Sequence, residues 1–215
     1  MSTTAFITRC WKSAHPDLAG LLFCACLALL YSGAAHAQSG ASASEISQLQ
    51  AERTGDAVLL SASVKFDLPG VVEEALLKGV PMIFVAEADV VRERWYWINK
   101  KVANVERHMR LSYQPLTRRW RLQVASGVIT QAALGVALNQ NFETLADAMA
   151  AVQRISRWKI ADSAELDPES RYRVEFRFRL DTSQLPRPFQ IGTLGQADWT
   201  ISVATHQALP PESGK

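Results

Sequence analysis

Arg171-Tyr172-Arg173-Val174-Glu175-Phe176-Arg177-Phe178-Arg179-Leu180-Asp181 is the stretch that decides the fold. Successive side chains of a strand point to opposite faces. Tyr172, Val174, Phe176, Phe178 and Leu180 therefore share one face. Arg171, Arg173, Glu175, Arg177, Arg179 and Asp181 share the other. A period of two with one apolar face predicts an antiparallel strand packed on a core on one side and facing water on the other.

The same pattern recurs outward from this strand. In Ala57–Phe66, Leu60, Ala62, Val64 and Phe66 alternate with Ser61, Ser63 and Lys65. In Met82–Val90, Met82, Phe84, Ala86, Ala88 and Val90 oppose Glu87 and Asp89. Arg92 and Arg94 then fall on the apolar phase, which predicts a bulge or bend near Val90–Arg92. Arg107–Tyr113 and Arg118–Val124 alternate around Gln114-Pro115-Leu116-Thr117 and predict a hairpin, with Met109, Leu111, Tyr113, Trp120, Leu122 and Val124 inward and His108 and Arg110 outward. Arg157–Ala161 reads as a short strand and Trp199–Thr205 as another. Two helices are expected. One follows Pro69, with a stripe of Val71, Val72, Ala75 and Leu76, and stops at Gly79 and Pro81. The other starts at Thr144, with Asp147 completing a capping-box pattern, and buries Leu145, Ala148, Met149 and Val152. Asp167-Pro168-Glu169-Ser170 reads as a turn, and Gly127–Asn141 is ambiguous and partly loop. These elements predict a mainly β fold: an antiparallel β-sandwich-like domain with two short helices.

The N-terminus addresses the compartment. Arg9 and Lys12 precede the apolar run Leu18–Tyr31, and Ala35-His36-Ala37 closes it. A basic start, an apolar run of about 7–15 residues and an A-x-A end describe a secretory signal peptide. A retained membrane anchor needs about 20 apolar residues, and a lipoprotein would carry lipid on Cys26; both fit less well. The expected organisation is a signal over 1–37, a flexible leader over 38–56, one β-rich domain over 57–206 and a tail over 207–215. Cleavage after Ala37 removes Arg9, Lys12 and Asp17, leaving 21 Lys+Arg against 20 Asp+Glu. That balance argues against a nucleic-acid binder. All three cysteines, Cys10, Cys24 and Cys26, fall in the signal. The exported chain then has no disulfide, no thiol chemistry and no thiolate metal site. His108 and His206 are the histidines it keeps, too few for a zinc site without carboxylate help. No metal or cofactor is expected.

Two groups are candidates for partner binding. Arg171, Arg173, Arg177 and Arg179 lie on the wetted face of one strand, where successive residues of a face are about 7 Å apart. The plainer reading is a solvated face paired with Glu87, Asp89 or Glu106 on neighbouring strands. Trp95 and Trp97 share a face and offer an aromatic platform; the plainer reading is core. There is no G-x-S-x-G elbow and no phosphate-cradling glycine loop, so no catalytic residue is assigned.

Arg179-Leu180-Asp181-Thr182-Ser183-Gln184-Leu185-Pro186-Arg187-Pro188-Phe189-Gln190, with Asp198-Trp199 beyond, resembles a block in a family of secreted proteobacterial proteins, domain-of-unknown-function family 4390. Glu74-Ala75-Leu76 with Gly79-Val80-Pro81, Leu111-Ser112-Tyr113 with Leu116-Thr117-Arg118, and Gln140-Asn141-Phe142 are similar too. The likeness spans roughly Ala57–Val203. It brings no activity, cofactor or catalytic residue. Genes of that family often neighbour a membrane sensor histidine kinase of the nitrogen-regulation type, which implies an envelope sensing or accessory role. In the block itself, Asp181, Thr182 and Ser183 are suited to end the strand through local hydrogen bonds. Pro186 and Pro188 hold the next segment extended while Leu185 and Phe189 dock on the core. The expected function is a non-catalytic periplasmic domain that binds a protein partner, with no membrane span after cleavage. A small-ligand or lipid-binding module is the alternative, and an enzyme of unknown reaction ranks third.

Overall fold

The computed structural model describes residues 44–94, 99–127, 137–186, 189 and 199–211. Its elements in chain order are β1 (Glu45–Arg53), β2 (Ala57–Lys65), α1 (Gly70–Leu77), β3 (Met82–Arg92), β4 (Lys100–Gln114), β5 (Arg119–Ser126), β6 (Leu138–Phe142), α2 (Leu145–Gln153), β7 (Arg154–Asp162), a 3-10 turn at Ser163–Glu165, β8 (Tyr172–Asp181) and β9 (Ser202–Ala208). The expected signal over 1–37, Trp95, Trp97, Arg187 and Pro188 lie outside the described residues.

The strands form two antiparallel sheets, β1-β2-β7 and β6-β5-β4-β3-β8-β9. The decisive stretch is β8, and its phase is as the alternation requires. Tyr172, Val174, Phe176, Phe178 and Leu180 are buried, and Arg177 is exposed. They meet the inward row of β3, with Phe176 opposite Ala88 and Phe178 opposite Ala86. Val58, Leu60, Ala62 and Val64 of β2 close the core from the other sheet. Phe66, Phe84 and Phe178 fill the space between, with ring centroids 5.5–5.9 Å apart. Arg107 also points inward: its guanidinium lies 4.8 Å from the Trp158 ring centroid, joining β4 to β7. Burial pushes that guanidinium below its usual range, yet arginine keeps its charge.

Both helices cover the core. In α1, Pro69 sits at the N-cap and its carbonyl accepts from the Val72 and Glu73 amides. Val72, Ala75 and Leu76 are buried, but Val71 is exposed, because an eight-residue helix shows the core only a narrow stripe. Gly79, at φ 84°, ends it in the left-handed region that glycine enters freely. In α2, the Thr144 hydroxyl oxygen accepts from the Asp147 amide at 3.1 Å and donates to the Asp147 carboxylate at 2.6 Å. The shorter Asp side chain grips the cap hydroxyl.

Several boundaries differ from expectation, and bulges explain most of them. Glu45–Arg53, expected within a flexible leader, is β1. Ser47 is an extra residue between Ile46, opposite Val64, and Gln48, opposite Ser63. That insertion puts the half-buried Ile46 and Leu49 three apart, which hides the period of two. The short strand expected at Arg157–Ala161 runs from Arg154 to Asp162. An extra residue near Arg157, at φ 44°, separates Ile155 from Trp158, and the Arg157 amide donates to Ser61 Oγ. The irregularity expected near Val90–Arg92 is present, with the extra residue, Val102, on the partner strand β4. Arg92 continues the inward phase to the end of the sandwich and meets Asp167 at 2.9 Å. The tail expected from residue 207 begins later: β9 reaches Ala208, and buried Leu209 donates its amide to the Tyr172 carbonyl.

Candidate partner-binding face

The Arg-rich side of β8 belongs to the outer face of the six-stranded sheet. Strand register arranges this face in rows. One row is Glu106, Glu87, Arg177 and Ala204; the next is Asn104, Asp89, Glu175 and His206. Arg177 thereby stands beside Glu87 of β3, the cross-strand pairing that stabilises antiparallel sheets, while Arg173 and Arg179 stand opposite Val91 and Val85. Arg177 Nη1 lies 2.9 Å from Glu87 Oε2. Arg173 reaches Glu175 at 2.6 Å and Glu93 at 3.7 Å, and Arg179 reaches Asp181 at 3.8 Å. Arg171 lies just before β8 and is exposed; its backbone carbonyl accepts from the Glu93 amide.

Asp89 was expected to face water, and it is buried instead. Lys101 Nζ at 2.7 Å and Asn104 Nδ2 at 2.6 Å compensate its charge. The hydrogen bond to Asp89 holds the Lys101 ammonium above the usual lysine range. Beside this pair lies an open depression of about 330 Å³, bordered by Glu87, Arg173, Glu175, Arg177 and His206. Every arginine and carboxylate there is already paired.

At the strand's end, Asp181 accepts from the Ser183 amide at 3.1 Å, Ser183 Oγ at 2.6 Å and Gln184 Nε2 at 3.0 Å. Burial, the largest single influence, pushes the Asp181 carboxyl up. The hydrogen bonds and the Arg179 charge together outweigh it and leave the group below the usual range. This is the local strand stop that the residue types predict, and Leu185 docks on the core beyond it.

His108 faces outward as expected but is only 3% exposed. Its Nε2 lies 3.1 Å from Glu106 Oε2, and its buried Nδ1 has no hydrogen-bond partner. Among the described residues, no group of three or more His, Cys, Asp or Glu could hold a metal ion. No helix among them is long and apolar enough to cross a membrane.

The other half of the outer face differs. On β4, β5 and β6 it carries Arg110, Ser112, Gln114, Arg121, Gln123, Asn139 and Asn141. Amide pairs run across it, as from Gln123 to Asn139 at 3.0 Å. The signal that marks this half is a long gap in acidic residues, from Glu106 to Glu143, that holds five arginines. Alternation alone draws attention to β8 and passes over this gap. Elsewhere, an open groove of about 470 Å³ separates β4 from β7, with Val102, Val105 and Ile160 along it and Lys159, Asp162 and Glu165 beside them.

A family model described as Domain of unknown function (DUF4390) matches residues 41–208. No curated protein and no solved structure matches the chain.

Proposed function

The chain belongs to the DUF4390 family, and from that membership, whose description assigns no activity, we propose a non-catalytic domain that binds a protein partner in the cell envelope. The observation that carries the reading is the ion-pair ladder on the outer sheet face. Its acids and arginines are held in fixed register by the strands. Such a surface offers a folded partner a preordered pattern of both charges, and electrostatic complementarity of that kind sets register and encounter rate. Export through the segment 1–37 brings the domain to a periplasmic partner, with a membrane sensor kinase the first one to test. The enzyme reading is weaker. His108 lies beside a carboxylate, but its burial keeps a substrate from its ring. His206 lines the depression without a carboxylate bonded to it, and the acids there are engaged by Arg173 and Arg177.

Lys101 borders this face, so a lysine-reactive cross-linker applied to intact cells reads it directly. The expected result is a reproducible cross-link from Lys101 to one envelope protein, identified by mass spectrometry and weakened by Arg177→Ala. Recovery of uncross-linked monomer alone, under all growth conditions, would sink the proposal.

The groove between β4 and β7 favours a second reading, a small-ligand or lipid module. The packed phenylalanines leave that groove, not the centre of the sandwich, as the place for a ligand. Native mass spectrometry of the purified protein tests it. A retained small molecule that Val105→Asp releases supports it, and a bare mass in the wild type removes it.

A further inference from the structure

We infer that the β4–β5 hairpin docks tip-first on an anionic lipid surface through Leu116, Arg118, Arg119 and Arg121. Five arginines and no acid lie between Glu106 and Glu143. Arg107 turns inward onto Trp158; the other four belong to the turn or the outer face. Their charge is less fully paired than that of β8. Among the described residues, Arg110 and Arg118 have no ion pair. Arg121 meets only side-chain amides, the oxygen of Asn141 at 3.5 Å and, once the Gln114 amide is turned over to satisfy its neighbours, the oxygen of Gln114 at 3.1–3.2 Å. Arg119 has one ion pair, to Glu143 at 3.9 Å with both side chains well exposed.

Leu116 stands at the tip and is 100% exposed. A lone exposed leucine is ordinary on a protein surface. This one crowns a cationic hairpin and is flanked by the uncharged Pro115 and Thr117, so neither neighbour sets a charge against its entry into an apolar boundary. The turn is already ordered. β4 and β5 pair from Arg107–Ser126 through Gln114–Arg119, and β5 is held on its other edge by β6. An apolar tip set among guanidiniums matches the boundary between anionic headgroups and acyl chains, which attracts each cation while it receives the apolar group. An acidic polypeptide would match the charge but would give Leu116 no apolar counterpart, so the lipid surface fits both features. The inference uses a different surface from the partner-binding ladder and does not depend on it.

Co-sedimentation of the full chain with phosphatidylethanolamine–phosphatidylglycerol vesicles, against pure phosphatidylcholine vesicles, tests it. The readout is the anionic-to-neutral binding ratio, compared between variants because Arg9, Lys12 and the apolar run Leu18–Tyr31 contribute equally to all of them. Each guanidinium removed should lower the anionic binding by roughly fivefold, and Arg118→Gln/Arg119→Gln/Arg121→Gln by about a hundredfold. Leu116→Asp should lower it too. Lys65→Gln/Lys78→Gln/Lys159→Gln removes the same charge from exposed sites elsewhere and should leave it within about twofold. Unchanged thermal melts of these surface variants establish that they are folded. A wild-type ratio of one would overturn the inference. So would an equal loss in the lysine variant, which would make net charge the cause. Failure on vesicles together with hairpin-dependent cross-links to an acidic protein would give the surface to that protein and also overturn it.

Discussion

Phe176 and Arg177 are neighbours in sequence with opposite surroundings. Phe176 is 1% exposed against Ala88, whereas the Arg177 side chain is 49% exposed and paired with Glu87. Truncating a buried Phe to Ala typically costs about 3–5 kcal/mol, a large part of the about 5–15 kcal/mol that holds an ordinary domain. An exposed ion pair contributes about 0–1 kcal/mol. Phe176→Ala should therefore lower the melting temperature strongly and Arg177→Ala barely; equal losses would mean the faces of β8 are misassigned. Asp181 carries the second residue-level prediction. Its folded carboxyl sits below the usual value, so its contribution to stability is present above the unfolded pKa and is lost as pH falls through the folded one. Asp181→Asn should be less stable than wild type near neutral pH, with the gap closing as both are acidified below about pH 4. A gap that stays constant down to low pH would refute the role of the ionised group. Both faces of β8 were legible because alternation is a local property of one strand. The burial of Asp89 and His108 was not, because it depends on neighbours in β3, β4 and β8 that sequence spacing does not bring together.

The elements that sequence reads best are those that keep one period from end to end. β8, β2 and the β4–β5 hairpin do so, and they fold where the alternation puts them. β1 and β7 do not. Each carries a bulge, and one inserted residue turns a spacing of two into three, which resembles a helix face. The α2 start shows a local signal that survives folding. Thr144 caps the helix through Asp147, and an N-cap contributes about 1 kcal/mol. Thr144→Ala should cost about that much in a denaturant melt, while Thr144→Ser, which keeps the hydroxyl, should stay near wild type. An equal loss in both would show that the methyl, not the cap, matters.

At the scale of the whole molecule, the described residues hold no cysteine. Stability of the folded domain should therefore not depend on a disulfide. Melts of protein whose mass corresponds to a chain starting at Gln38 should coincide with and without reductant. A shift on reduction would overturn that expectation. Composition and fold class were readable from the chain alone, because charge and hydrophobic period are properties of short windows. The family likeness, too, rests on contiguous strings. Which strands share a sheet is another matter. β7 joins β2 across about a hundred residues while β8, next in the chain, joins β3. That choice is made by burial of two inner faces at once, against Phe66, Phe84 and Phe178, and no window of sequence contains it. The same packing distinguishes the two halves of the outer face. On β8, Arg177 pairs with Glu87 of β3 while Arg173 and Arg179 pair with acids of their own strand; the arginines of the β4–β5 hairpin have, among the described residues, only the exposed Arg119–Glu143 pair, and tertiary structure decides which arginine finds a carboxylate across strands.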